Sequence, residues 1–376
     1  MTVLGRVPAA ALEDWFRVRY FDARVDISSS GVHPYTLGEV RELTGTTAEE
    51  LDELAFRDSP SSGQEKLRTA LSKRFEPGPG HEPLVCNGST EAILLAVSAL
   101  DLGAGDEVVV TTASYHALTA LAASAGATLV RWELDLTGGR PDLDALRSLV
   151  GPRTRAVVLN FPHNPSGITL TAAEYDELLA IVGSSDAYLL WDAAFAELVH
   201  DAEPLPDPSR TIERCVSFGT LSKAYGLPGL RVGWCIAPST LARELVRMRD
   251  YVTLNTSPLL EEIAARVVEN ADAVLGPRLA EVRANRATVV DWLAAHRDIV
   301  AGFAPGGGVT FFPQVLGVEN TRPLCEVLAD EHGVLTVPGD CFDHPDRIRL
   351  GFGAPGPDVA AGLDVLARVI RQQDRR

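Results

Sequence analysis

The stretch Ser217-Phe-Gly-Thr220-Leu-Ser222-Lys223-Ala-Tyr225-Gly226-Leu-Pro-Gly229-Leu-Arg231-Val-Gly233 sets a lysine behind an apolar run and a hydroxyl-rich turn. Glycines follow it, and an arginine stands eight residues on. A lone lysine is ordinarily a solvated surface charge. One lodged among small and apolar residues gives up its proton more readily and can form a Schiff base with an aldehyde. Thr220, Ser222 and Arg231 have the chemistry to hold a phosphate beside it.

Working outward, short apolar, β-branched runs at 108–112, 127–132, 155–160, 187–192, 214–219 and 232–237 read as buried strands. Helical patterns at 91–100, 118–124, 142–150, 172–182 and 240–250 alternate with them. That alternation predicts an α/β fold with a mostly parallel sheet flanked by helices. Ligands of such sheets bind at the carboxyl ends of the strands, where Asn160, Asp192 and Gly219 fall. The character changes after Pro277. A long helix is predicted at 279–296, a hairpin at 306–312, a helix at 323–332, strands at 334–338 and up to Leu350, and a last helix at 357–371. The expected division is a large domain at 41–276 and a smaller α+β domain at 277–376, with residues 1–40 an N-terminal arm joining the latter.

The 376 residues, 46% of them hydrophobic, suffice for a large core. Acidic residues outnumber basic ones 51 to 34, for a net charge of −17, which disfavours a nucleic-acid partner. Five scattered cysteines without a CxxC pair point to reduced thiols and a cytoplasmic protein. Residues 1–12 lack the apolar core of a signal peptide, and no apolar run reaches the roughly 18 residues of a membrane span. No metal-ligating cluster is visible.

Further motifs occupy predicted strand ends. Gly88-Ser89-Thr90 opens a helix and could cradle a phosphate on free N–H groups, although an ordinary helix cap looks the same in sequence. Tyr115 could stack on a flat ring or simply pack. Asn160-Phe-Pro162-His163-Asn164-Pro165-Ser166-Gly167 is turn chemistry, within which Asn164 could offer its amide to a ring oxygen. Asp192 ends an apolar run and needs a partner, either a helix N-terminus or a pyridinium nitrogen. Arg349, in a strand-like run, suits a carboxylate or a structural ion pair.

In this order the motifs resemble, over most of the chain, the pyridoxal-phosphate enzymes of the class I/II aminotransferase superfamily, fold type I. The resemblance implies that Lys223 anchors the cofactor and that Thr220, Ser222, Arg231 and Gly88-Ser89-Thr90 hold its phosphate. It implies Tyr115 on the ring, Asn164 at the phenolic oxygen, Asp192 at the ring nitrogen and Arg349 with Asn164 on the substrate carboxylate. It also places Ser30 and Gly31 at the substrate and implies a homodimer.

Two departures bear on the reaction. The superfamily has a tyrosine donor where this chain has Phe195, which packs by the cofactor but cannot donate. Asp58 stands where a phosphate-reaching tyrosine is common. These features resemble a branch of the superfamily that closes cyclic guanidines in antibiotic biosynthesis, including streptothricin-type pathways. The resemblance implies a β-hydroxylated arginine as substrate, with Asp26 or Asp58 as candidate partners of its guanidinium. An ordinary transaminase or a β-lyase would use the same cofactor residues. A catalytically dead relative would not be expected to keep Lys223, Asp192 and Arg231.

Overall fold

The computed structural model describes residues 7–373; residues 1–6 and 374–376, and with them part of the expectation for 1–12, lie outside the described residues. The N-terminal helix α1 (Ala11–Arg19) leads into a two-residue strand β1 (Val25–Asp26). The central sheet follows: β2 (His81–Cys86), β3 (Glu107–Thr111), β4 (Thr128–Trp132), β5 (Thr154–Asn160), β6 (Tyr188–Asp192), β7 (Cys215–Thr220) and β8 (Gly233–Pro238). Its strand order is β2-β8-β7-β6-β5-β3-β4, with β8 antiparallel to both neighbours and the other pairings parallel. This is the α/β architecture expected from the sequence.

The apolar runs are continuous because both faces of the sheet are covered. Successive side chains go to opposite sides. Val108, Val110, Ala156 and Val158 pack under helices Ser89–Ala99, His116–Ala125 and Ser239–Arg249. Val109, Val157 and Leu159 join the core on the other face, with Leu178 and Val182 of helix Ala172–Gly183. That helix starts where its sequence says it should: Thr171 and Glu174 form a reciprocal capping box.

Beyond the sheet, the structure departs from the sequence reading in three places. Helix Ala271–Ala295 runs through Pro277 rather than starting after it, because Val274, Leu275 and Val282 keep its buried face continuous. The predicted hairpin at 306–312 does not form. After β9 (Val300–Ala301), the pair β10 (Thr310–Phe311) and β11 (Gln314–Val315) separate, β11 pairing with β9. The strand predicted at 334–338 is split into β12 (Val334–Leu335) and β13 (Val337–Pro338). β12 pairs in parallel with β1, whereas β13 and β10 flank β14 (Ile348–Gly351) on either side. Each segment was short, and its partner was remote in sequence.

These pairings bring the N-terminal segment to the C-terminal strands. Trp15 Nε1 donates to Thr336 O at 2.8 Å, and Gly351 N donates to Ile27 O at 2.8 Å. Residues 28–31 are thereby laid beside β14. All five cysteines are unpaired. Among the described residues, no helix is long and apolar enough to cross a membrane, and no group of side chains could hold a metal ion.

Candidate active site

Three adjacent strand ends build the anion cradle. Gly233, the first residue of β8, lies opposite Cys86 of β2 on one side and Thr220 of β7 on the other. The loop between β7 and β8 carries Lys223 outward and returns through Arg231, which adopts a left-handed backbone (φ 54°) to re-enter the sheet. The eight-residue spacing is therefore the length of this excursion. Arg231 Nη1 comes back to 3.4 Å from Ser222 Oγ, and Thr220 Oγ1 lies 3.0 Å from the same hydroxyl.

The Gly88 turn meets this guanidinium. Gly88 has φ 87°, a backbone that favours glycine, and a Cβ there would stand 2.6 Å from Arg231 Nη2 and displace the guanidinium. No side chain caps helix Ser89–Ala99, which leaves its first N–H groups free at the turn that meets the guanidinium. An ordinary cap would have used the Ser or Thr hydroxyl for those groups. Thr90 Oγ1 instead lies 3.3 Å from Tyr115 OH. A convergent guanidinium, hydroxyls and free N–H groups suit a phosphate.

The register of β5 and β6 aligns Asn160 with Asp192. Asn160 Nδ2 donates to Asp192 O at 2.9 Å, and its Oδ1 accepts from Asn164 N at 2.8 Å, which fixes the Asn164 loop against the tip of β6. Burial pushes the Asp192 carboxyl up to about 6, opposed by the N–H of Ala194 and by the charge of Lys223. Such a carboxylate is suited to a cationic ring nitrogen. Phe195 is buried and offers no donor; Lys223 Nζ lies 5.9 Å from its ring centre.

Lys223 Nζ donates to Ser30 Oγ at 2.8 Å. Burial, followed by the nearby Arg349 charge, brings its ammonium down to about 8, with Asp192 and Glu13 opposing. Gly31 follows Ser30, and Val32 N donates to Lys223 O. Arg349 projects from β14, 1% exposed. Its Nη1 donates to Asn164 Oδ1 at 3.2 Å and its Nη2 to Ser28 O at 2.9 Å, while Nε has no partner. Neutral acceptors leave the cation uncompensated. Among the described residues it makes no ion pair, which disfavours a purely structural bridge and fits a carboxylate ligand.

The predicted site residues thus converge. Two expectations about acids fare differently. Asp58 is exposed on a loop, and no hydrogen bond or ion pair ties it to this cluster among the described residues. Asp26 is close, but its oxygens accept from the N–H and hydroxyl groups of Ser28 and Ser29. It shapes the loop that presents Ser30; Asp-x-Ser-Ser in the sequence was the signal for that turn. His163 is fully buried, pushed down to about 3, with Nδ1 2.7 Å from Ser166 Oγ, so it is a neutral packing residue. The positioning role of Asn160 was not read from the sequence, nor was the presence of Glu13 in the Lys223 cavity.

Comparison with known proteins agrees with this geometry. A family model described as aminotransferase class I and II matches residues 37–368. The chain is 53% identical to a capreomycidine synthase of Streptomyces vinaceus, over 96% of this chain and 93% of that protein. It is 27% identical to an arginine–pyruvate transaminase of Pseudomonas aeruginosa, over 77% of this chain and 76% of the other. Among solved structures, the PLP-dependent cyclase OrfR superposes with a TM-score of 0.91 at 41% identity, covering 97% of this chain and 98% of that one.

Proposed function

The chain belongs to the class I and II aminotransferase family, and on that premise we propose that it is a cyclase forming capreomycidine or a hydroxylated analogue. The substrate in this reading is a 3-hydroxyarginine-type amino acid, which loses its β-hydroxyl and closes its guanidine onto the β-carbon. The observation that carries the reading is the likeness to the capreomycidine synthase along nearly the whole chain. It extends well beyond the cofactor residues that a transaminase would share. The setting would be antibiotic biosynthesis of viomycin or streptothricin type, in a cytoplasmic homodimer.

The chain is an enzyme whose cofactor is pyridoxal 5'-phosphate. When bound, this group supplies an electron sink for charge left on the substrate α-carbon. Thr220, Ser222, Arg231 and the N–H groups at Ser89 and Thr90 would hold its phosphate. Tyr115 would lie on its ring, Asn164 would meet its phenolic oxygen and Asp192 its nitrogen. Phe195 leaves Asn164 as the donor at that oxygen.

The residues of the chain then divide the work. Arg349 and Asn164 would fix the substrate carboxylate, aligning the α-hydrogen with Lys223. An ammonium brought down to about 8 is populated as free amine near neutral pH and can take the α-proton. Lys223 would pass that proton to the departing β-hydroxyl, which leaves as water. A guanidine nitrogen forms the bond to the β-carbon and gives up a proton, and Lys223 returns one to the α-carbon. The sum is loss of one water, with no oxidation.

Supplying 3-hydroxyarginine to the loaded enzyme without any keto acid tests the reading. Continued turnover to a cyclic amino acid one water lighter is expected. A single half-reaction that stops at a keto acid would mean a transaminase, and release of ammonia with a keto acid a β-lyase.

A further inference from the structure

An open cavity of about 720 Å³ has Lys223 and Ser30 on one wall and the inner side of α1 on the other. With its α-carbon at Lys223, the substrate has room for its side chain in this space. A guanidinium leaving water there needs a carboxylate partner. Three acids line the cavity: Glu13, Asp26 and Asp358.

Asp26 is committed to the Ser28 and Ser29 turn. Asp358 stands in the first turn of helix Gly356–Gln373, where the helix dipole suits it. Its charge is not among those acting most strongly on Lys223 or Arg349. Glu13 differs on both counts. Its side chain is exposed and, among the described residues, makes no hydrogen bond or ion pair. Its charge acts on Lys223, Arg349, Tyr115 and His116, four groups around the reacting centre.

The position of α1 explains this reach. Phe16, three residues on from Glu13 and so on the same side of the helix, has its ring centre 5.8 Å from the Arg349 guanidinium. Trp15 anchors the helix through its bond to Thr336 O. The cations at the rim are otherwise engaged: Arg17 pairs with Asp14, and Arg24 Nη2 donates to His332 O.

We infer that Glu13 receives the cationic end of the substrate side chain, so that α1 sets the preference for a guanidinium-bearing amino acid. The inference rests on the cyclase reading above. Glu13 is a specificity residue; it holds the far end of the molecule while Lys223 works at the near end. An uncharged side chain of the same length would gain nothing from it.

The test is equilibrium titration of the holoenzyme, followed through its cofactor absorbance, with two ligands. L-Arginine carries the guanidinium but no β-hydroxyl to lose; L-citrulline has an uncharged ureido group of nearly the same shape. The wild type is expected to bind arginine more tightly. Glu13→Gln is expected to weaken arginine about 10- to 100-fold while citrulline stays within about twofold. A wild-type preference for arginine that survives in Glu13→Gln overturns the inference and leaves the cyclase reading standing. Equal weakening of both ligands overturns it too, since that is what a purely structural role would give. A wild type with no preference for arginine overturns the cationic-substrate reading and this inference together.

Discussion

In the proposed role Lys223 must be neutral to act as a base, and its partly desolvated setting favours that form. In the fold it titrates at about 8, against the ordinary 10.5, chiefly through desolvation. Folding therefore opposes its charge. The cost is fully present below about pH 8 and fades as pH rises towards 10.5, where the unfolded chain loses its proton as well. In the cofactor-free protein, Lys223→Met should raise the melting temperature at pH 7, with the advantage shrinking through that window. Thermal denaturation across pH reads this directly, and a pH-independent gap would contradict it. The residues around Lys223 were largely legible in the sequence, because Thr220, Ser222 and Arg231 lie within one loop. Ser30, 193 residues away, was legible only through resemblance.

At the scale of elements, the substrate side of the site depends on how closely β14 approaches the segment after β1. A Cβ on Gly351 would stand 2.1 Å from Ser29 O, so the two backbones touch. Gly351→Ala must push the Ser28–Ser30 turn outward, carrying Ser30 from Lys223 and Ser28 O from Arg349. The expected outcome is a several-fold higher KM with cofactor loading retained, since none of the residues proposed to hold the phosphate lies there. Borohydride trapping of the cofactor on Lys223 checks the second half. Loss of trapping would show that the damage spreads to the cradle. The long strands and helices of the sheet were readable from periodicity alone. Of the two-residue strands, β12 and β13 were read as one strand, β10 as part of a hairpin, and β9 and β11 not at all, because so short a run carries no period and is decided by the partner it finds.

Across the whole molecule, large exposed apolar side chains lie at Leu37, around the end of α1 at Val18, Tyr20 and Phe21, and in two loops. Phe56 is 82% exposed, and Tyr251 94%, with Val252 and Leu254 beside it. Side chains of this size left in water suit a protein surface. In the homodimer proposed above, they are expected to be covered. Sedimentation equilibrium should give a dimer mass, and Tyr251→Glu combined with Phe56→Glu should shift it towards monomer. A monomeric wild type would refute the proposal. The sequence by itself determined the sheet and the loop from Thr220 to Arg231 around Lys223, and it placed Asn160 and Asp192 at strand ends. Each of those signals is local, a strand end and the turn that follows it. Only the tertiary structure decided what meets across the site: Arg349 against Asn164, 185 residues apart, Ser30 on Lys223, and Glu13 in the cavity that Lys223 and Ser30 line. Those meetings follow from the pairing of β1 with β12 and of β13 and β10 with β14. They are long-range pairings that leave no local periodicity in the chain.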